Sequence, residues 1–502
     1  MTLPCVRLPE DVAVLEDRSS AVERSITYLA RLPDGPLVML EGAAALIWEE
    51  LMRARTVAVA EQVARRVGAD VSLIHADVEE FVETLADQGL IEVDGRPARK
   101  RLEAPTTPPA MDALAPIRVA FVDHCARLSG AEIAMVRLIE ALGGRVDATV
   151  ILAEDGPLVA RLQQVGARVE VLPLDSRTRE LDRHLTARRP TARALGSTSA
   201  YVWRLARRLR QLRPDIVHTM SLKAAVYGIP AARLSGTPVV WHLHDRVAPD
   251  YLPGVAVGLL RGLARTGPTM LLANSSATLA TVPGARRGRV VPNPIPLPAP
   301  EHRERPFDAV RVGIVGRLAP WKGQDVFVRA FAEAFQPGSP VRGVIIGAAL
   351  FGEEEHEEAL RRLCRELDVD GRVEITGFVE DVEQAISRLD VLVHCSTVPE
   401  PFGQVVVEGM AAGLAVVASA AGGPTEVITN GHDGMLVPPG DVAALADALR
   451  TLASDEDLRL KLGRAALIRA QDFSPERAGE AVLHAYDIAL RRAPGVSASA
   501  TG

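Results

Sequence analysis

Residues 400–419 constrain the fold of this chain more tightly than any other stretch. Glu400-Pro-Phe-Gly-Gln-Val-Val-Val-Glu408 sets two carboxylates eight positions apart, the first at a Pro/Phe/Gly corner and the second on an apolar helical turn. Gly409-Met-Ala-Ala-Gly-Leu-Ala-Val-Val-Ala-Ser419 follows, and its Val416-Val-Ala run reads as a buried strand. A strand–loop–helix–strand unit of this kind puts its loop at the carboxyl edge of a parallel sheet, where α/β proteins bind ligands. Ionised carboxylates placed there accept hydrogen bonds from a polyhydroxylated ligand. A helix over 404–412 would point its unpaired N–H groups at the same place, which favours a phosphate.

The rest of the chain sets limits on this cradle. At 502 residues it is too long for one ordinary domain. Its 48% hydrophobic and 24% charged content is that of a globular protein with ample core, and at 4% aromatic that core must be packed from Leu, Val and Ala. Four scattered cysteines without a C-x-x-C suit a reducing cytosol, and neither a disulfide framework nor a zinc site. The opening 1–16 stretch is acidic, with no long apolar core, so no secretory signal is expected there. No apolar run reaches the ~20 residues of a membrane span, and a cytoplasmic location is expected.

Charge is distributed in blocks. Residues 1–100 carry 11 Lys/Arg against 18 Asp/Glu, residues 111–300 carry 25 against 14, and residues 301–502 carry 20 against 31. An acidic head, a basic middle and an acidic tail predict three units. Their expected bounds are 9–95, a Pro-rich semi-rigid linker over 96–116, then 117–295 and 308–473, with a last helix over 474–492.

The head reads as strands over 11–15, 25–31 and 36–40 with a Pro33-Asp34-Gly35 turn. Helices over 42–52, from Thr56, and over 75–88 follow, then Gly89 and a strand over 90–93. This is a small winged-helix-like α+β unit. A DNA-binding role conflicts with its negative charge, because duplex binding depends on neutralising phosphates, so no nucleic acid partner is expected. A purely structural appendage remains an alternative.

From Ile117 strands and helices alternate. The loop Leu128-Ser129-Gly130-Ala131-Glu132 puts small residues at a helix start after the first strand, letting a ligand approach the backbone at Gly130. Residues 177–213 hold eleven arginines against Glu180 and Asp182, interleaved with apolar residues. They read as a solvated helix face, or as a docking surface for an anionic acceptor, a peripheral membrane contact or the acidic head. In Val239-Val-Trp-His-Leu-His-Asp245 the two histidines share one strand face, with no third metal ligand evident.

A second α/β alternation opens at Val310. Its loop Gly316-Arg317-Leu-Ala-Pro-Trp-Lys322-Gly323 precedes a helix over 324–335. A glycine corner, two cations and a helix N-terminus together suit a diphosphate. Asp368-Val-Asp370 falls at a helix-to-strand turn where Asp is expected on local grounds, so no metal is implied. Gly377-Phe378 and Gly422-Gly423-Pro-Thr-Glu426 are further loops at the same sheet edge.

With E-x7-E, P-F-G, G-R-L…K-G and G-G-x-x-E in place, residues 117–490 resemble retaining glycosyltransferases of family 4, which have the GT-B fold of two Rossmann-like domains. The resemblance implies a sugar moved from a nucleotide-sugar to an acceptor hydroxyl, metal-independent, with no cofactor beyond the donor. It assigns Arg317 and Lys322 to the leaving diphosphate and Glu408 to the ribose. Glu400, with backbone N–H groups around Phe402 and Gly403, orients the donor sugar, and His244 holds it from the opposite wall. Gly130, Gly316 and Gln404 line the donor, and Phe378 lies by the base. Ser129 stands where the family has a glycine, and Pro294 replaces the glycine of its interdomain hinge. A GT-B phosphorylase would need a cofactor lysine, and neither Lys322 nor Lys461 suits that role.

The head resembles PqqD-like domains on its L-P-D-G turn, Leu40-Glu-Gly-Ala-Ala-Ala-Leu-Ile-Trp48, Thr56-Val57, and Asp77-Val78, Phe81, Leu85 and Gly89-Leu90. Those domains take a leader peptide as an added strand. The resemblance therefore implies a peptide partner, with a glycan or lipid-linked acceptor, or a non-catalytic binding protein, as alternatives.

Overall fold

The computed structural model describes residues 6–9, 12–17, 26–31, 37–40, 43–54, 59–67, 71, 78, 81–82, 85–86, 90–93, 115–174, 192–285, 287–297, 309–349 and 352–491. The chain divides into two compact units, 1–112 and 113–502. The expected linker over 96–116 falls almost wholly outside the described residues. So do the Pro33–Gly35 turn, the helix start at Thr56 and the arginines of 177–191.

In the first unit β1 (Val6–Arg7) pairs antiparallel with β5 (Glu92–Val93), and β2 (Val12–Asp17), β3 (Ile26–Arg31) and β4 (Leu37–Leu40) form an antiparallel meander. Strand β1 went unread because two residues show no alternation to detect. Helices Ala43–Ala54 and Ala60–Val67 follow the meander. Trp48, Leu51, Val59, Val63, Val78, Val82, Leu85 and Leu90 are buried together, and the 78/82/85 spacing is that of one helical face.

The second unit holds two parallel sheets. The first lobe has β6 (Ile117–Asp123), β7 (Val146–Leu152), β8 (Arg168–Val171), β9 (Ile216–Thr219), β10 (Val239–Leu243), β11 (Met270–Ala273) and β12 (Gly288–Val290), in spatial order β12-β11-β10-β9-β6-β7-β8. The second lobe has β13 (Arg311–Val315), β14 (Arg342–Ile346), β15 (Val373–Gly377), β16 (Val391–His394), β17 (Ala415–Ser419) and β18 (Met435–Val437), in order β15-β14-β13-β16-β17-β18. Both sheets are covered on both faces, so their strands are continuous apolar runs whose side chains alternate between two cores. Ala120 and Val122 pack with Val217, Trp241 and Leu271, while Val119 and Phe121 pack with Val150, Val240 and Leu272.

The last helix, Pro475–Arg491, explains why the basic middle and acidic tail form one unit. Its Val482, Ala485, Tyr486 and Ala489 lie in the core of the first lobe although the helix follows the second. Burying side chains of the size of Val482 contributes roughly 1.5–3 kcal/mol each. Ile295 also donates to the Phe473 carbonyl at 2.9 Å, tying the connection between the lobes to the start of that helix.

The described part of the arginine-rich stretch is the helix Ala192–Leu212. Tyr201, Leu205, Ala206 and Leu209 anchor it to the first lobe. Arg208 grips Glu170 through two hydrogen bonds, and Arg204 donates to the Pro173 carbonyl at 3.3 Å. Among the described residues no helix is long and apolar enough to cross a membrane.

Candidate active site

The carboxyl ends of β13 and β16 bring two loops into contact. After β13 the chain turns through Gly316–Gly323 and enters the helix Gln324–Ala334. After β16 it runs through Cys395–Gly403 into the helix Gln404–Ala411, matching the predicted unit. Thr397 N–H donates to the Trp321 carbonyl at 2.9 Å and knits the loops together. Gly323, at φ +73°, sits so close that a Cβ there would strike the Cys395 carbonyl oxygen. Only glycine permits this approach without strain. Gly422, at φ +72°, crowds the Glu400 backbone in the same way, and Gly423 N–H donates to the Glu400 carbonyl at 2.8 Å.

That approach sets Lys322 Nζ 2.7 Å from Glu400 Oε1. Ser396 Oγ donates to Glu400 Oε2 at 2.7 Å, and His394 Nε2 lies 3.4 Å from the same oxygen. Burial alone would raise the Glu400 pKa. The Lys322 ammonium, aided by His394, instead holds it well below the usual carboxylate range. The Lys322 ammonium also lies 4.3 Å from the Trp321 ring centroid. Arg317 stands in the same loop, its Nε 3.5 Å from Glu353 and its guanidinium 5.9 Å from the Trp321 centroid. The sequence separated these roles, cations for phosphate and Glu400 for sugar; in the fold, cation and acid form one paired cluster.

The other predicted positions divide by what they touch. Phe402 is buried and packs edge-on against Phe473 at 5.8 Å, so only its backbone can face a ligand. Gly403 adopts φ +83° as the residue before the helix. Phe378 is 67% exposed. Gly316 turns at φ +148° beside Gly347, and Gly130 begins the helix Gly130–Leu142 with open space at its Cα. Gln404 Nε2 donates to Glu408 Oε1 at 3.0 Å.

His244 follows β10 and is buried, its ring 4.3 Å from that of His242. Its pKa is driven well below the ordinary value, first by burial and then by His242 and His218, so it is neutral. Neither ring nitrogen has a hydrogen-bond partner among the described residues. Asn293 lies beside that ring and its Nδ2 donates to Gln404 Oε1 at 3.4 Å, linking the His244 wall to the Glu408 helix.

Several groups at this cleft escaped the sequence reading. On the first lobe, Ser221 Oγ donates to Asp123 Oδ1 at 2.7 Å and lies 2.9 Å from His124 Nδ1. Tyr251 donates to Asp245 at 3.1 Å, and the Asp245 charge with burial raises its phenol well above the ordinary value. Glu132 is pushed up to about 7 by burial and by the nearby Asp123 charge. Glu426, read only as part of a glycine turn, accepts from Ser276 N–H at 2.8 Å and Ala277 N–H at 2.6 Å across the lobes. The Ser221 contacts join residues 97 and 98 positions apart and the Glu426 contacts residues 149 and 150 apart, and no local pattern encodes them. His394 and Ser396 could have been suspected, since both flank Glu400. Among the described residues no group of His, Cys, Asp and Glu could hold a metal ion.

Two Rossmann-like lobes facing across a cleft, with a last helix returning to the first, define the GT-B fold. Residues 128–298 match the model for Glycosyltransferase Family 4, residues 301–469 that for Glycosyl transferases group 1, and residues 26–91 that for Coenzyme PQQ synthesis protein D (PqqD). The chain belongs to the GT-B glycosyltransferases and carries a PqqD domain ahead of the two lobes.

Among curated relatives, the D-inositol 3-phosphate glycosyltransferase of Kribbella flavida is 35% identical over 36% of this chain and 43% of its own length. The lipopolysaccharide core biosynthesis glycosyltransferase LpsE of Rhizobium meliloti is 31% identical over 32% of this chain and 44% of its own. The chain thus spans less than half the length of these relatives. Among solved structures, Anabaena HepE in complex with UDP and glucose is 26% identical, with a TM-score of 0.65 over 74% of this chain and 99% of that one.

Proposed function

We propose that this protein transfers a sugar from a nucleoside diphosphate sugar to an acceptor hydroxyl, with retention at the anomeric carbon. The observation that carries the reading is the meeting of the two loops, which pairs Lys322 with the buried carboxylate of Glu400 and holds Arg317, beside Glu353, in the same loop at a sheet's carboxyl edge. As the bond between the anomeric carbon and the diphosphate breaks, negative charge grows on the leaving oxygen. Fixed cations in a partly dehydrated cleft stabilise that charge more than they stabilise the bound donor. Glu400, kept ionised by Lys322, accepts from donor-sugar hydroxyls, and neutral His244 offers a ring nitrogen from the other lobe. The acceptor oxygen forms the new bond on the face the diphosphate leaves, and its proton passes to the departing phosphate oxygen. The HepE complex with UDP and glucose supports a uridine nucleotide as the first donor to try.

For the acceptor, the PqqD domain supports a ribosomally made peptide whose leader binds as an added strand. Tethering would raise the concentration of the peptide's modifiable segment at the cleft. A glycan or inositol-type acceptor is the second reading, favoured by the two curated relatives.

The test is titration of the purified protein with UDP, ADP and GDP, then release of nucleotide from the matching glucose donors. Arg317→Ala and Lys322→Ala should each weaken binding about 10- to 100-fold, the worth of a charge-assisted hydrogen bond. Nucleotide binding that ignores both changes would remove the donor site from these loops. Nucleotide binding without transfer to any peptide or glycan would leave a binding protein in place of an enzyme. Removal of residues 1–100 should abolish transfer to a leader-bearing peptide while sparing donor hydrolysis. Undiminished peptide transfer would end the recruitment reading.

A further inference from the structure

Glu408 is held from both sides of the cleft. Its Oε1 accepts from Gln404 Nε2 at 3.0 Å, on its own helix, and from Arg137 Nη1 at 2.9 Å, on the helix Gly130–Leu142 of the first lobe. The Arg137 and Glu408 side chains are each only 14% exposed, so the pair is shielded from solvent. Arg137 Nη2 lies 4.0 Å from Glu383, a second acid of the second lobe, and Gln404 is itself braced by Asn293. Among the described residues Glu408 Oε2 makes no hydrogen bond, so one carboxylate oxygen is fixed and the other is left to accept.

We propose that Arg137 is a positioning residue that aims Glu408 at the ribose of the donor, so that donor affinity depends on the two lobes being closed. The inference rests on the proposed use of a nucleotide donor. A carboxylate that can rotate loses rotamer freedom when it grips a diol, whereas one already pinned through Oε1 presents Oε2 without that cost. Because the pin comes from the opposite lobe, the grip is complete only while helix Gly130–Leu142 lies over helix Gln404–Ala411. Binding of the ribose and closure of the cleft therefore favour one another. An interlobe ion pair with a purely structural role would instead affect every cleft ligand alike.

The readout that separates these roles is ribose discrimination. UDP, ADP and GDP are each titrated against their 2′-deoxy counterparts with the full chain, and with Arg137→Ala, Arg137→Lys and Glu408→Gln. The wild type should prefer the tightest-binding ribonucleotide by about tenfold, the scale of one hydroxyl-to-carboxylate bond. Arg137→Ala should bring the preference to within about twofold while leaving the deoxy ligand's affinity nearly unchanged. Arg137→Lys should fall between, and Glu408→Gln should match the alanine variant. Equal weakening of both ligands, or an unchanged preference in Arg137→Ala, overturns the inference. If that variant does not fold, Arg137→Lys and Glu408→Gln decide it by the same ratio. A wild type that binds nucleotide with no ribose preference overturns this inference alone. A wild type that binds none overturns the proposed function as well.

Discussion

Replacing Lys322 by Met keeps the length of the side chain and removes its charge from beside Glu400. The Glu400 side chain is 12% exposed and Lys322 20%, so the carboxylate would remain buried with only Ser396 and a distant His394 nitrogen for company. Breaking a buried pair by removing one member costs about 3–5 kcal/mol, because the survivor is left uncompensated. For a unit as large as 113–502 each kcal/mol moves the melting temperature by roughly 1–2 °C, so the full chain should melt roughly 3–10 °C lower at pH 8. The pH dependence follows from the sign of the shift. Glu400 titrates below its ordinary 4.5 in the fold, so the pair's contribution is complete above that value and fades as pH falls below it. The melting difference between Lys322→Met and wild type should accordingly shrink on acidification. In the double variant Lys322→Met/Glu400→Gln no unpaired charge remains, and most of the loss should be recovered, giving a coupling of about 0.5–3 kcal/mol. The assay is thermal unfolding of wild type, Lys322→Met, Glu400→Gln and the double variant at pH 8 and at about pH 3.5, below the ordinary carboxylate value. A single variant that melts within about 1 °C of wild type at pH 8, or strictly additive losses, would refute the argument.

Glu132→Gln should act with the opposite sign. The wild-type carboxyl titrates at about 7 in the fold against 4.5 outside it, so its favourable contribution is present below pH 4.5 and lost as pH rises through 7. The variant should be more stable than wild type by up to about 3 kcal/mol at pH 8 and equal to it near pH 4.5, read from denaturant midpoints. Gly323→Ala should cost at least about 1–2 kcal/mol from its left-handed φ alone, and more from the clash with Cys395. It should also push Lys322 away from Glu400, so nucleotide affinity should fall with stability. Glu426→Gln keeps the volume but weakens the bonds to the Ser276 and Ala277 N–H groups. Hydrogen exchange at those two amides should quicken while amides in β16 and β17 stay protected.

The sequence exposed the parts of the fold that local physics dictates. Apolar strand runs separated by helical periodicity marked most strands of both sheets, and glycine at 316, 323, 403 and 422 marked where the chain must turn sharply. It missed β12, β18 and the helices Leu222–Ser235 and Gly254–Thr266. The two strands are three residues each, Leu222–Ser235 is apolar on most sides with Pro230 inside it, and Gly254–Thr266 carries Gly254, Gly258 and Gly262, which argue against a helix on local grounds.

The candidate site divides along the same line. Arg317, Lys322, Glu400 and Glu408 could be named because each lies in a loop or helix start whose local spacing carries a chemical meaning. That Lys322 and Glu400 hold each other, that Arg137 reaches Glu408, and that Glu426 closes on Ser276 and Ala277 could not. A motif fixes which groups stand at the edge of a sheet, since that depends on neighbours along the chain. Which charges end within hydrogen-bond reach depends on how two lobes and a returning helix pack, and the sequence separation of those contacts leaves no periodic trace.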